Sequence, residues 1–364
     1  MAASTPKNCC NNAPENNKNL DGKYDDDDLS AEGAVFQGLF GHVDDDDDSS
    51  EEGEHHRSTN RIKKTNDVIE KEQENVVIRR QIMHVEIEEL QIGGSIAHRL
   101  WPPAEHLARF ILDAAAGKYI DRSSNGITHN DANENKSTAT DSTEGPRALS
   151  HEYSRRILLQ KQEMLHKKVY QLFSSAKGLP ILELGAGLGL TGLELATQLD
   201  GVNTHVLLTE LEDGLPMLRR NLELNQHKFR NGVDTVQVQR LTWGVPDEYD
   251  AALDWYHALT KAQSQKPLLI IGSDCVYWSE LHKPLESALC GLLSRAPAGS
   301  MCLLAGVRRW KSDNAFYQSL GKYTRTKTHE LQCTLLQETV QRKDGDRTVL
   351  RIYAIQWAQI RRYS

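Results

Sequence analysis

Apolar residues in this chain recur with two periods, and the change from one to the other marks out its elements. Val76, Val77 and Ile78, followed by Ile82, Val85, Ile87 and Leu90, are spaced as in short strands. A Gly93-Gly94 break precedes Leu100-Trp101-Pro102-Pro103. Proline is tolerated at a first helical position because the N–H it lacks has no intrahelical partner there. Leu107, Phe110 and Ile111 return at helical spacing and predict a helix over 103–116. Leu158, Leu165, Val169 and Leu172 predict another over 152–174, with Arg155, Arg156, Lys161, Lys167 and Lys168 on the rest of its surface. Such a basic helix reads first as a solvated face and second as a partner contact.

After Pro180 the alternation becomes regular. Strands are predicted at 181–184, 205–209, 235–241, 268–273 and 301–306. Helices are predicted after the first (to about 199), at 213–227, at 279–294 and near 313–321, with a loop carrying Trp243-Gly244 after the third strand. Alternating strands and helices argue for a parallel sheet covered on both faces, and the run Leu268-Leu269-Ile270-Ile271 suits a strand buried on both sides. Two strands at 328–340 and 348–357, with Lys343-Asp344-Gly345-Asp346 between them, predict a closing antiparallel hairpin. The predicted fold is therefore α/β and doubly wound, mostly parallel, with a C-terminal antiparallel hairpin.

Composition divides the chain unevenly. Of its 364 residues, the first sixty hold fifteen Asp/Glu against four Lys/Arg, a net −11. The whole chain carries −8, which leaves +3 for the remainder. Asp25 to Asp28 and Asp44 to Asp48 repel themselves, and the surrounding Asn, Ser and Glu cannot bury enough apolar surface to offset ordering. Residues 1–70 are predicted to be a disordered acidic tail, interrupted only by the Val35-Phe36-Gln37-Gly38-Leu39-Phe40 island. A flexible insertion is predicted at 117–150, inside a domain spanning 76–364. That domain is near neutral, which gives no electrostatic footprint for nucleic acid. No apolar window is long enough for a transmembrane helix, so no membrane partner is expected. The N-terminal residues lack a signal-type apolar region, and the six cysteines show no zinc spacing, so no metal is expected. A reduced compartment fits, with the cytoplasm as the expected location and the nucleus left open.

The chemistry concentrates in Ile181-Leu182-Glu183-Leu184-Gly185-Ala186-Gly187-Leu188-Gly189-Leu190-Thr191-Gly192. A strand ends in an acid, glycines let the backbone turn tightly, and the next helix presents N–H groups and a positive dipole end. The spacing is G-x-G-x-G, with Leu190 where the dinucleotide fingerprint wants glycine, which disfavours a nicotinamide oxidoreductase. Glu183 suits a cationic amino group, and Glu210, ending the next strand, suits two ribose hydroxyls. Glu210 also reads as a charge complementing the helix that follows it.

From about 76 to 357 these residues resemble the seven-β-strand methyltransferases of family 16, a group rich in protein-lysine methyltransferases. The resemblance rests on Leu100-Trp101-Pro102-Pro103-Ala104, the Glu183–Gly192 turn, Leu208-Thr209-Glu210, Leu241-Thr242-Trp243-Gly244 and Ser273-Asp274-Cys275-Val276-Tyr277. Two departures are mild: the family often has Asp at 210 and Ala at 273. The resemblance implies S-adenosyl-L-methionine as cofactor, and a sheet whose last strand inserts beside its fifth. It implies that Gly185, Ala186 and Gly187 approach the cofactor's methionine part, that Glu210 holds the ribose and that Trp243 lies on the adenine with Ser273 beside it. Trp101 would close over the cofactor, while Asp274 and Tyr277 would face the methyl group and the incoming nitrogen. The implied substrate is a protein lysine, and a monomer is expected. The Asn/Asp-Pro-Pro-Tyr/Phe box of amino-methylating nucleic-acid enzymes is absent, since Cys275 and Val276 follow Asp274. Two alternatives stand beside this reading: a methyltransferase-like binding module without turnover, and a methyltransferase acting on another residue type or a small molecule.

Overall fold

The strand β1 (Val77–Ile82) turns through Met83 and His84 and returns as β2 (Val85–Leu90), an antiparallel pair separate from the main sheet. The computed structural model describes residues 76–90, 96–118, 146–175, 179–199, 204–229, 231–260, 266–309, 311–320, 322, 324–343 and 346–360. The tail expected over 1–70, and most of the insertion expected over 117–150, lie outside the described residues. Helix α1 (Pro102–Ala115) begins at the predicted proline pair, with Trp101 as its N-cap. Helix α2 (Pro146–Ser175) begins inside the stretch expected to be flexible. Proline suits a first helical position, and Arg147, Ala148 and Leu149 are strong helix formers.

The alternation then runs β3 (Pro180–Glu183), α3 (Leu190–Gln198), β4 (His205–Glu210), α4 (Leu215–Asn225) and β5 (Val236–Arg240). It continues through α5 (Pro246–Thr260), β6 (Leu269–Ser273), α6 (Ser279–Leu293), β7 (Met301–Val307) and α7 (Lys311–Ser319). The closing hairpin is β8 (His329–Lys343) and β9 (Asp346–Gln359). Helix α5 was not anticipated. Its Tyr249, Ala252, Leu253 and Tyr256 are buried at helical spacing behind Pro246, Asp247 and Glu248.

The main sheet has seven strands in the order β5-β4-β3-β6-β7-β9-β8. The first five run parallel; β9 lies antiparallel to β7, and β8 to β9. The order reverses between β3 and β6, whose carboxyl ends open the crevice where such sheets bind ligands. Side-chain alternation along the strands sorts the core into two layers. Ile181, Leu208, Leu269, Ile271 and Leu303 pack with Leu107, Ile111, Val169, Leu193 and Leu218. Leu182, Leu207, Ile270 and Leu304 pack on the opposite face with Tyr249, Leu253, Leu289 and Phe316. Both faces are apolar, hence the continuous apolar runs.

The β1–β2 hairpin docks on α4 through polar chemistry. Asn221 Oδ1 accepts the Glu88 N–H at 2.8 Å, and its Nδ2 donates to the Glu88 carbonyl at 3.1 Å. One turn on, Asn225 does the same for Glu86, at 2.8 and 2.6 Å. Two buried amides at i, i+4 thus satisfy the outer edge of β2 as another strand would. On the far side, α2 meets β8 at the register shift between Leu335 and Gln337. Gln162 Nε2 donates to the Leu335 carbonyl at 2.6 Å, and His166 Nε2 lies 3.2 Å from that of Leu336.

Candidate cofactor and methyl-transfer site

The turn between β3 and α3 has Gly185 at φ 57° and Gly187 at φ 55°, a left-handed region that penalises a Cβ. Ala186, between them, donates its N–H to the Thr209 carbonyl at 2.9 Å, which ties the turn to β4. A methyl group on Gly185 would stand 3.0 Å from the Trp243 ring, so that indole lies directly against the turn. On Gly187 it would come 3.4 Å from the Ala97 carbonyl oxygen, which places the segment before Trp101 over the same turn. The Trp243 turn is itself held by α5: the Gly244 N–H donates to the Tyr249 hydroxyl and the Thr242 N–H to Glu248.

Glu210, at the end of β4, reaches across to the turn. Its Oε2 accepts the Gly187 N–H at 2.6 Å and its Oε1 the Leu211 N–H at 2.9 Å. Burial raises its pKa, and those two N–H bonds oppose the rise. Gly185, Ala186, Gly187, Glu210 and Trp243 therefore converge on one crevice.

Glu183 departs from the reading that gave it a ligand's amino group. It is fully buried, and its Oε2 accepts the Gly192 N–H at 2.9 Å. The Thr191 hydroxyl beside it donates to the Ala104 carbonyl at 3.2 Å, and Glu183 Oε1 has no partner. Burial pushes this carboxyl up to about 8, with the Gly192 bond only partly offsetting it. Glu183 thus sits beneath the turn as a neutral acid bracing α3.

The second half of the site follows β6. Ser273 closes the strand, half-buried, with its carbonyl 3.7 Å from Cys275 Sγ. Asp274 takes a left-handed φ of 58°, which Asp tolerates better than most residues, and donates its N–H to the Ala305 carbonyl at 2.7 Å. Its buried carboxylate is gripped by Arg309, Nη1 on Oδ1 at 2.7 Å and Nη2 on Oδ2 at 2.8 Å. Tyr277 is half-buried beside Trp278, ring centroids 5.1 Å apart. Burial first, with electrostatic reinforcement from neighbouring groups that include Glu210 and Asp274, drives its hydroxyl pKa well above the ordinary value, so it remains a donor at neutral pH. Trp101 donates its indole N–H to the Ile96 carbonyl at 3.1 Å, and the Arg309 guanidinium lies 5.7 Å from its ring centroid.

Two contributors escaped the sequence reading, Arg309 and the 96–98 segment. Arg309 follows the end of β7, and its position at the carboxyl end of a parallel strand was the available signal. The contact of Ala97 with the glycine turn had none, since no spacing encodes it.

Residues 155–323 match the family model described as lysine methyltransferase. Four of the five sequence landmarks fall inside the matched segment; Leu100–Ala104 precedes it. Among curated relatives, protein-lysine N-methyltransferase EFM6 of Saccharomyces cerevisiae is 31% identical over 145 residues, covering 38% of this chain and 54% of that protein. Protein N-lysine methyltransferase METTL21A of Danio rerio is 34% identical over 145 residues, covering 40% and 56%. Calmodulin-lysine N-methyltransferase of Arabidopsis thaliana is 27% identical over 176 residues, covering 46% and 51%. The chain spans about half the length of these relatives. In the matched segment the glycine turn, Glu210, Trp243 and Asp274 occupy the carboxyl ends of adjoining strands.

Proposed function

We propose that this chain binds S-adenosyl-L-methionine in the crevice between β3, β4 and β6 and transfers its methyl group to a lysine side chain of a protein. The observation that carries the reading is the glycine turn bound by Glu210 through the Gly187 N–H, at the point where strand order reverses. The left-handed glycines leave backbone accessible to an elongated ligand, and the start of α3 adds a positive dipole end. Glu210 is placed to turn its oxygens to a pair of ribose hydroxyls. Trp243 offers an apolar face to a purine, with the Ser273 backbone beside it. Trp101 and the 96–98 segment close the crevice from above. The fit is thus to a nucleoside-bearing ligand held chiefly by backbone and one carboxylate.

The cofactor, when bound, supplies a methyl group already activated on a sulfonium, so the chain must mainly align and desolvate. The incoming ammonium would first lose a proton to water, and the residues around the crevice would hold its free nitrogen in line with the methyl group. Asp274, with each oxygen already taking one guanidinium N–H, retains lone pairs that orient an amine N–H. Tyr277, kept as a neutral phenol, confines the side chain and donates from its hydroxyl. The protein works as a monomer in the cytoplasm, with the nucleus open to it; Cys275, Cys290 and Cys302 are buried as thiols, which suits a reduced compartment.

Calorimetry of the purified chain with S-adenosylmethionine and with NAD separates this reading from an oxidoreductase. Mass spectrometry of a cell extract incubated with the chain and labelled cofactor then identifies the acceptor. Binding without any labelled protein would favour the binding module, label on a small molecule would displace the protein substrate, and tighter NAD binding would overturn the reading altogether.

A further inference from the structure

Arg309 joins three separate parts of the chain around the crevice. Its guanidinium presents two parallel N–H bonds to Asp274, at 2.7 and 2.8 Å, in the fork geometry that fixes both partners. The guanidinium carbon lies 5.7 Å from the Trp101 ring centroid, within cation–π range. Its backbone N–H donates to Asp313 Oδ2 at 3.0 Å, which anchors it to the first turn of α7. Trp101 in turn holds Ile96 by its indole N–H, and the neighbouring Ala97 lies over Gly187. Asp274 needs such a hold, because its left-handed backbone carries strain and its side chain is almost wholly enclosed.

We infer that Arg309 is a positioning residue that latches the 96–101 segment to Asp274, so that closure over the glycine turn and orientation of the carboxylate that aligns the incoming amine occur together. Neither end of the latch is held by its own element alone. Asp274 is on the loop after β6 and Trp101 caps α1, and Arg309 bridges them from the loop after β7. Lysine cannot replace it, since an ammonium neither forks to both carboxylate oxygens nor lies flat on an indole. The inference rests on the proposed function only for its consequence, cofactor affinity; the mechanical linkage stands apart from it.

The test uses the full chain, unliganded, and compares wild type with Arg309→Met, Arg309→Lys, Trp101→Leu and the Arg309→Met/Trp101→Leu double variant. Amide hydrogen exchange in the unliganded chain should rise together at 96–101 and 274–277 in both Arg309 variants, with the strands unaffected. Calorimetry with S-adenosylhomocysteine should show each single substitution weakening binding about tenfold, the scale of one cation–π contact with its linked ordering. The double variant should be no weaker than the worse single one, because both break the same latch. Exchange that rises at only one of the two segments would overturn the latch, as would losses that multiply in the double variant. A wild type that binds no S-adenosylhomocysteine would instead sink the proposed function, while the exchange arm still decides the linkage. Melting curves show which variants fold, and Arg309→Lys serves if the methionine variant melts early.

Discussion

Replacing Glu183 by Gln should make the protein's stability less sensitive to pH, and the size of that effect follows from where the carboxyl lies. In the folded chain the group is fully buried, has one N–H donor from Gly192 and titrates near 8; its ordinary value is 4.5. Between those values the folded state holds a proton that the unfolded state has released, so unfolding gives up a proton and stability falls as pH rises. The contribution is fully present below about pH 4.5 and is lost as pH climbs toward 8. The slope is about 1.4 kcal/mol per pH unit, which reaches about 3 kcal/mol by neutral pH. Glutamine keeps the shape and an acceptor for Gly192 but never ionises. Its amide lacks a partner where Oε1 lacked one, a penalty of about 1–3 kcal/mol that shifts the whole curve without altering its slope. Urea unfolding of both proteins at pH 5, 6, 7 and 8 should give a stability difference that moves steadily toward the variant. A difference constant across that range to within about 0.5 kcal/mol would show that the buried acid is not neutral, and the argument would fail.

Three further outcomes test the site and its support. Gly187→Arg puts a side chain at a left-handed position beside the Ala97 carbonyl; S-adenosylmethionine binding should vanish in a chain that still folds, and unchanged calorimetric affinity would remove the turn from the cofactor site. Asp274→Asn should lower single-turnover methyl transfer by about 100-fold or more, and Tyr277→Phe by less, with cofactor affinity nearly unchanged in the latter; wild-type rates in both would reject their assignment. Asn221→Leu removes two bonds to Glu88 and one to Leu188 inside a buried interface, so it should cost about 2–4 kcal/mol in urea unfolding and speed amide exchange along β1 and β2. Protection retained in the hairpin would mean that the apolar contacts of Val85 and Ile87 suffice to dock it.

What could be read from the chain alone followed from local physics. The strands and their flanking helices were visible because both faces of the sheet are apolar, as in Leu268 to Ile271, and because glycines and prolines punctuate them. Helix α5 carries its own signals, Pro246-Asp247-Glu248 at its start and Tyr249, Ala252, Leu253 and Tyr256 on one face, although the sequence reading gave only a loop there. The strand order was not readable from periodicity; it came from the resemblance, and β9 does lie beside β7. The site residues were found where a motif is continuous, as at 183–192 and 273–277. Arg309 and Ala97 act across long stretches of chain, and the inward turn of Glu183 depends on the Gly192 N–H and on the absence of a side chain at Gly192, where a Cβ would meet the carboxylate, neither of which spacing can express.

The insertion of β9 between β7 and β8 also sets a timetable for a chain made from its N-terminal side. When Met301–Val307 leaves the ribosome, one flank of that strand pairs with β6, but the other must wait until Leu350–Ile355 has been synthesised. Until then an apolar strand presents a bare edge, open to pairing with any extended neighbour. The wait reaches the chemistry too, because the Arg308 N–H donates to the Val349 carbonyl at 2.9 Å, immediately before Arg309. A nascent chain halted before β9 would therefore carry every motif of the glycine turn and of 273–277, yet lack the backbone anchor beside the arginine that holds Asp274. The full backbone setting of Arg309 arrives only with the closing hairpin, and a half-made chain leaves an apolar edge open in the meantime.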